Sequence, residues 1–432
     1  MYKTGRRYRI YPTKNQEKTL LRMAEAARKL WNDALWHRKW VWESERRSVS
    51  YAEQARILTK ERQVELELGL LYSQSAQDIL RRLDKAFKSF LSGLAKYPRF
   101  KSANSTSSFT YPQAYNGSVN MNENTIELSK VGAVPIVTHQ KVPSEGKLKT
   151  CTVIHEPSGD WYVSLAYVMD SPIRKPSMVS SPVGVDLGLK SIVVTTDGVR
   201  IPHPNYLRKA ERRLVRLQRS VSRKQKGSKN RTKARHLLAG CCAKVARQRK
   251  DFNHKLTTDL VRHHDAVFFE DLRIANMTRN HSLAKSIHDA GWGQLLSFAK
   301  YKEERAGGMF ETVQSAYSTQ ECFFCGTLNP IGLDVREFDC AGCGRRLNRD
   351  LNAAWIVLKR GIAKVGQDMP ELTPVEIGPP PPESNSGASP VAEAGTTGGG
   401  VHAQLPLSLK AHDTICGRMS LTDLFCQGRV SV

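Results

Sequence analysis

The stretch Val183-Gly184-Val185-Asp186-Leu187-Gly188 decides the reading of this chain, because it sets one acid inside an otherwise apolar strand. A strand turns successive side chains to opposite faces. Val183, Val185 and Leu187 therefore share one face, and Gly184, Asp186 and Gly188 the other. Asp186 stands between two residues that lack side chains, which leaves room near the backbone for a bulky phosphate and its metal ions. Taken alone, an Asp at a strand end more often caps a turn. After the strand Val183–Leu187 come a second at Ser191–Thr195 and a turn at Asp197-Gly198.

Two further acids lie in comparable surroundings. The strand Asp265–Glu270 contains Ala266-Val267-Phe268-Phe269-Glu270, and the alternation that buries Val267 and Phe269 turns Ala266, Phe268 and Glu270 the other way. Asp271 follows directly, so either acid is a candidate ligand. Asn348-Arg349-Asp350-Leu351-Asn352-Ala353-Ala354 opens a helix continuing through Trp355, Ile356 and Leu358. Capping and the helix dipole ordinarily account for an Asp in a first turn. Three such acids together are harder to explain in that way. With a helix expected near Gln294–Arg305 and a strand near Phe310–Ala316, strands and helices alternate, which argues for an α/β domain with a mixed sheet.

The sharpest single pattern is Cys322-x-x-Cys325 followed, after fourteen residues, by Cys340-x-x-Cys343. Two thiolate pairs on tight turns, with Gly326, Gly342 and Gly344 permitting the knuckle geometry, offer four sulfurs at tetrahedral reach of one Zn2+. A four-sulfur site is closed to substrate. The zinc is therefore expected to be structural, organising a ribbon too small to fold otherwise. Paired cysteines in a reducing compartment suggest metal rather than disulfides.

Lys and Arg number 66 against 41 Asp and Glu, for a formal net charge of +25. Such an excess points to a polyanion, since neutralising phosphates releases condensed counterions, although a basic protein can also meet an anionic membrane. The charge is uneven. Between Arg208 and Lys255 there are 18 Lys or Arg and two acids, in a segment where Leu214, Leu217 and Val221 repeat at helical spacing. From Val365 to Val432 there are 7 acids and 3 bases, with six prolines in Pro370–Pro382, so this stretch is net −4 and residues 1–364 carry +29. Such a tail is expected to be disordered. No apolar run approaches the roughly 18 residues of a membrane span, and the basic opening lacks the apolar core of a secretory signal. The protein is expected to be cytoplasmic, with no membrane partner.

Tyr8-Arg9-Ile10-Tyr11 reads as a short strand closed by Pro12, and Thr13-x-x-Gln16 as a capping box opening a helix. Leu20, Ala24, Ala27, Trp31, Ala34 and Leu35 lie on one face of it, and helical patterning continues through Ile57 to Leu94. From about Tyr97 the texture turns to β-type runs. Thr150–Ile154 and Trp161–Val168, divided by Glu156-Pro157-Ser158-Gly159-Asp160, form a hairpin within a small barrel that the N-terminal strand completes.

These motifs resemble the TnpB proteins of IS200/IS605-type transposons, relatives of the Cas12 nucleases. GVDLG at 184–188, FFEDL at 268–272 and NRDLNAA at 348–354 occur in that family's order, with the four-cysteine ribbon between the second and third. QRKDFNHKLTTDL at 248–260, DAGWGQL at 289–295 and the N-terminal YRIYPTKNQ are also similar, so the resemblance runs from about residue 8 to 360.

The resemblance implies a multidomain α+β protein. Its parts are a β-barrel wedge domain (strand 1–12 and residues 97–180), a helical recognition domain (13–96) and a RuvC-like nuclease domain of RNase H fold (181–364). A zinc ribbon is inserted at about 317–347, and 365–432 form the tail. It implies that Asp186, Glu270 and Asp350 are the catalytic residues and bind two Mg2+. It further implies a guide RNA from the transposon end and a double-stranded DNA target chosen by base pairing beside a short motif. Tyr51, Ser73 and Gln77 are candidates for reading that motif. Arg223, Lys224, Lys226, Arg247, Arg249 and Lys250 are candidates for holding nucleic acid. Alternatives are a guided DNA-binding repressor, which would have lost an acid, and a guide-independent RNase H-like resolvase or transposase, which would not need the N-terminal regions. The oligomeric state is open.

Overall fold

The computed structural model describes residues 2–102, 107–140, 143, 146–169, 179–332 and 335–366. The tail expected to be disordered lies outside the described residues beyond Gly366, as does most of the loop Asp170–Pro182. Two compact units divide the chain: Met1–Arg174 with Arg212–Lys244, and Lys175–Glu211 with Val245–Val432.

In the first unit the N-terminal strand β1 (Tyr2–Ile10) leads to four helices, α1 (Lys14–Glu45), α2 (Tyr51–Val64), α3 (Leu66–Leu70) and α4 (Ser73–Leu91). The capping box at Thr13 and Gln16 forms as the sequence specifies, each side chain bonding the other's backbone N–H. Leu20, Ala24, Ala27, Ala34 and Leu35 are buried along α1. Trp31 is only partly covered; its indole N–H donates to the Arg99 carbonyl at 3.0 Å, and the Lys101 ammonium sits 4.1 Å over its ring. The strands that follow are β2 (Ser107–Tyr111), β3 (Val119–Met121), β4 (Thr125–Leu128), β5 (Gly132–Val137), β6 (Gly146–His155) and β7 (Trp161–Met169).

These strands make one seven-stranded sheet, order β2-β6-β7-β1-β5-β4-β3, curled into a nearly closed barrel. The hairpin β6–β7 pairs His155 with Trp161 across its turn, and β1 enters between β7 and β5. Alternate residues of the strands, among them Phe109, Tyr111, Ile126, Val153, Val163 and Leu165, join Leu20, Met23, Leu35, Leu80 and Leu83 of the helices in a single apolar core. Helices and barrel thus stabilise each other by burying one shared surface.

The second unit is built on a five-stranded mixed sheet, order β10-β9-β8-β11-β12. Its strands are β8 (Pro182–Asp186), β9 (Ser191–Thr195), β10 (Arg200–Pro202), β11 (Ala266–Glu270) and β12 (Met309–Val313). The first three run antiparallel to one another, whereas β11 lies parallel to both β8 and β12. Between β10 and β11 run the basic helices α5 (Tyr206–Ser222) and α6 (Lys229–His263), whose residues divide between the two units. Then come α7 (Ile274–Met277), α8 (His281–Ala290) and α9 (Trp292–Ala306); a small hairpin, β13 (Glu337–Asp339) and β14 (Arg346–Asn348), leads into α10 (Arg349–Lys364). No helix among the described residues is long and apolar enough to cross a membrane.

Both faces of this sheet are covered, which changes one expectation. Val183, Val185, Val267 and Phe269 pack on Leu256, Leu260, Leu295 and Trp292 of the helices on one side. Ala266 and Phe268, expected to turn away from the core, are equally buried, against Val357, Leu358 and Ile362 of α10. Gly184 belongs to that second face. A Cβ there would clash with the Ala354 carbonyl oxygen and stand 2.7 Å from the Leu358 amide nitrogen. Helix backbone, and not a phosphate, fills the space that Gly184 leaves; Gly361 gives Phe268 the reciprocal clearance.

One buried acid lies outside every motif. Glu303 on α9 is fully buried, its two carboxylate oxygens lack hydrogen-bond partners among the described residues, and Gly308 has no room for a side chain beside it. Burial, reinforced by Asp265, pushes its carboxyl up to about 8 from an ordinary 4.5. Below the ordinary value both folded and unfolded chains hold the proton. Between that value and 8 the unfolded chain ionises first, so stability falls as pH rises through the window. Glu303→Gln is expected to flatten this loss, stabilising the protein at pH 8 by on the order of 2 kcal/mol relative to its effect at pH 4.5. Thermal unfolding at the two pH values measures it, and an equal shift at both would show that the acid is not protonated in the fold.

Candidate active site and cysteine cluster

Register brings the first two acids together. The parallel pairing of β8 and β11 matches Gly184 with Phe268 and Val185 with Phe269, so one further step sets Asp186 beside Glu270 at the carboxyl ends of adjacent strands. In open α/β sheets ligands bind outside those ends. The third acid comes from α10, which crosses the sheet with Ala354 and Leu358 over Gly184. From Ala354 back to Asp350 is one helical turn, about 6 Å, and from Gly184 on to Asp186 about 6.6 Å of strand. Equal advances carry Asp350 toward Asp186.

The electrostatics record the meeting. Burial foremost, and then the charges of Glu270 and Asp350, raise the Asp186 carboxyl well above the usual range, against the pull of Arg349 and Arg336. Burial likewise raises Glu270, opposed by the Ser318 hydroxyl and Arg360. That hydroxyl donates to Glu270 Oε1 at 2.5 Å, fixing the carboxylate. Asp350 accepts on both oxygens from Arg336 Nη1, at 3.0 and 3.2 Å, and on Oδ1 also from Arg349 Nε and Nη2, at 3.3 and 3.2 Å. Asp271, the other candidate beside Glu270, points to solvent.

Among the described residues, only the four cysteines form a group of three or more metal-ligating side chains with all ligand atoms within 4.8 Å of one another. The acids are spaced more openly.

The cysteine cluster fits zinc closely. Sulfurs at about 2.3 Å from a tetrahedral Zn2+ stand about 3.8 Å from one another; Cys322 and Cys343 are 3.8 Å apart and Cys325 and Cys340 3.5 Å. The two knuckles repeat one backbone pattern. Gly326 N–H donates to the Cys322 carbonyl and Gly344 N–H to that of Cys340, both at 2.8 Å. Gly326 (φ 74°) and Gly344 (φ 69°) occupy left-handed backbone that favours glycine. At Gly342 the need is clearance, because a Cβ would clash with the Thr327 hydroxyl. Backbone N–H groups of Cys343 and Gly342 pull the Cys340 thiol down to about 6, which favours the thiolate that a metal requires. Asn329, buried between the knuckles, accepts from Ala341 N–H and donates to the Thr327 carbonyl.

The ribbon is fastened to the acids. Asn352 donates to the Glu321 carbonyl at 2.6 Å and accepts from Phe323 N–H at 2.9 Å, while Asn348 caps the same helix by accepting from Leu351 N–H. Arg360 donates to the Gln314 and Ala316 carbonyls and pairs with Glu321 at 2.6 Å. Ser318, Arg336, Arg349, Asn352 and Arg360 were not singled out from the sequence. Arg349 and Asn352 carried a signal through their place in the third acidic motif. Ser318, Arg336 and Arg360 carried none.

The remaining candidates scatter. Tyr51, opening α2, lies 5.7 Å under the Arg81 guanidinium, which also reaches Gln77 at 3.5 Å; Ser73 precedes Gln77 by one turn of α4. Arg223 and Lys226 are exposed and Lys224 half-buried at the end of α5 and in the turn beyond it; on α6 Arg247 is exposed and Lys250 half-buried. Arg249 differs from these. It is buried, donates to the His288 carbonyl at 2.6 Å and packs on Gly291, so it ties α6 to α8. The two other signature stretches serve the same packing: Asp289 caps α5 through Leu207 N–H, and Asn253 donates toward Gln294 at 3.3 Å.

Fold and site together define a Cas12-like multidomain α+β protein. A Cas12f1 chain solved with single-guide RNA and target DNA superposes with a TM-score of 0.50 at 15% identity, over 80% of this chain and 83% of that one. Family profiles match along the sequence: a helix-turn-helix domain of the IS605 OrfB group at residues 1–47, that group's "Probable transposase" at 164–281 and a "Cas12f1-like, TNB domain" at 292–357. A Streptomyces pristinaespiralis protein named as an RNA-guided DNA endonuclease is 36% identical over 364 residues, covering 83% of this chain and 89% of that protein. The similarly named InsQ of Escherichia coli K12 is 30% identical over 83% of this chain and 92% of its own. The chain belongs to the TnpB family, the OrfB proteins of IS605-type transposons.

Proposed function

We infer that this protein is an RNA-guided DNA endonuclease that hydrolyses phosphodiesters at Asp186, Glu270 and Asp350. The observation carrying the chemistry is that Asp186 feels the charges of both other acids although up to 164 positions separate them in the chain. Three buried or half-buried carboxylates facing one another repel, and such clusters are tolerated where cations neutralise them. The five-stranded order with three antiparallel and then two parallel neighbours supports a RuvC-like domain of RNase H fold over 181–364. The ribbon at about 317–347 is its insertion. Strand 1–12 with 97–180 is the barrel, and 13–96 the helical region.

Bound at the three acids, two Mg2+ would activate the attacking water and neutralise the leaving 3′ oxygen. The chain's own groups do the positioning. Ser318 fixes the Glu270 carboxylate, Arg336 and Arg349 hold Asp350, and Asp186 lies within reach of the charges of both other acids. No nucleophile from the protein is needed. One Zn2+ at Cys322, Cys325, Cys340 and Cys343 is structural: the cluster is closed, and Asn352 fixes it to the helix that carries Asp350.

Sequence selection by a guide RNA explains why the excess charge is spread over the folded part. A protein that holds an RNA–DNA heteroduplex by its backbone needs distributed cations. The arms of α5 and α6 supply 18 of them between Arg208 and Lys255. Arg223, Lys224, Lys226, Arg247 and Lys250 are assigned to that role, and Tyr51, Ser73 and Gln77 to reading the DNA motif. The guide would derive from the transposon end.

Protein purified from cells is expected to retain one specific RNA, and that complex with Mg2+ to cut DNA matching the RNA. Sequencing the copurified RNA and assaying cleavage of matched against unmatched duplex checks both. RNA-free protein that cuts equally well would replace this reading with a guide-independent resolvase.

A further inference from the structure

Tyr317 is the one aromatic residue with a positive φ among the described residues, at 60°. That left-handed conformation is a genuine outlier for a bulky side chain, and such strain persists only where the surroundings over-determine it. Here they do. The Tyr317 carbonyl accepts from both Gln320 and Glu321 N–H at 2.9 Å, the preceding Ala316 carbonyl is held by Arg360, and the following Ser318 is bonded to Glu270. The turn is fixed on both sides, yet the ring gains nothing from it. Tyr317 is 62% exposed, and its side chain makes no hydrogen bond or ring contact among the described residues. Strained backbone that presents a large apolar ring to water, one residue from the serine that orients an active-site acid, calls for a ligand.

The chemistry of that ligand follows from the reaction. A nuclease whose target is chosen by base pairing cuts in whatever sequence it is sent to, so whatever seats the strand at the acids must ignore base identity. An aromatic face does this, since every base has a π-face to stack on it. The guanidinium of Arg336, paired with Asp350 but still 42% exposed, suits the strand's phosphates. A protein partner would also accept the ring, but gains nothing from its closeness to Ser318. The α-carbons of Tyr317 and Ser318 are about 3.8 Å apart, so a base stacked on the ring belongs to a nucleotide close to the phosphate at the acids.

We propose that Tyr317 is a substrate-positioning residue that stacks on a nucleobase of the single DNA strand being cut. This rests on the nuclease reading above. The left-handed turn aims the ring outward while Ser318 points inward, so that one loop sets both the strand and the Glu270 carboxylate.

Three variants of the full chain with its copurified RNA separate ring from backbone. Tyr317→Phe keeps the ring, Tyr317→Ala removes it and keeps the strain, and Tyr317→Gly removes both. Single-turnover cleavage should stay within about threefold for Phe and fall about 10- to 100-fold for Ala and Gly, the range that loss of one stacked base produces. The melting temperature of Gly should rise while its cleavage falls, a pairing that a merely structural tyrosine would not give. In an Asp186→Ala background, a single-stranded DNA carrying a fluorescent adenine analogue should be quenched by the protein that keeps Tyr317 and by its Tyr317→Phe variant, and not by the Ala or Gly variants. Wild-type cleavage by Tyr317→Gly, or quenching indifferent to the ring, would overturn the assignment. If instead the nuclease reading fails, no variant cuts at all, and the quenching comparison still reports on stacking.

Discussion

Asp186→Ala is expected to lower DNA cleavage by about a thousandfold or more, while RNA retention and binding to matched DNA stay at the wild-type level. The size follows from its place between the other acids. If Asp186 holds metal ions at the acids, removing its carboxylate would cost water activation and leaving-group stabilisation together, the kind of loss that appears in the chemical step alone. Binding is spared because the side chain faces the sheet's carboxyl edge and α10, not a long run of phosphates. The fold is spared as well. Asp186 is a buried acid pressed by the charges of Glu270 and Asp350, so its removal relieves repulsion, and the melting temperature should hold or rise. Cleavage and equilibrium DNA binding measured on one preparation decide the matter; parallel loss of both would mean that Asp186 supports the fold or the nucleic acid instead of the reaction.

The second large effect concerns the ribbon. Cys322→Ser with Cys325→Ser should take bound zinc from about one equivalent per chain to none, and cleavage should be lost with it. Zinc at a site of this kind contributes about 10–16 kcal/mol of apparent binding energy, which for a segment this small is its folding energy. Beyond the metal, the ribbon's core among the described residues is little more than Phe338, Leu347 and the buried cysteines. Its collapse would free Asn352 from Glu321 and Phe323, and Arg349 from the Gly332 carbonyl, loosening the first turn of α10 where Asp350 sits. The first unit has an apolar core of its own among the described residues and should melt unchanged. Elemental analysis reads the zinc; an unaltered equivalent in the double variant would remove the assignment.

Much of this protein was legible before its structure because the informative patterns are local. A capping box needs three residues, and Thr13 with Gln16 forms one. A hairpin needs two alternating runs and a turn, and β6–β7 is that. A zinc knuckle needs two cysteines and glycines that can turn left-handed or approach closely, which Gly326, Gly342 and Gly344 supply. The period of two likewise assigned Asp186 and Glu270 to one face of their strands correctly.

The sequence by itself determined the candidate residues and what they would need: the acids on their strand and helix ends, the four thiols, and a charge of +29 on the first 364 residues. Only the tertiary structure decided how the space around them is used. It gave the clearance at Gly184 to α10, buried Phe268 beneath the same helix, took Arg249 into the packing of α6 on α8, and strained Tyr317 to set Ser318 on Glu270. The physical reason is range. Side-chain alternation and caps are fixed within a few bonds of the residue concerned, whereas the second face of a sheet is fixed by whichever helix returns to cover it, here one that begins more than 160 residues after the strand it seals.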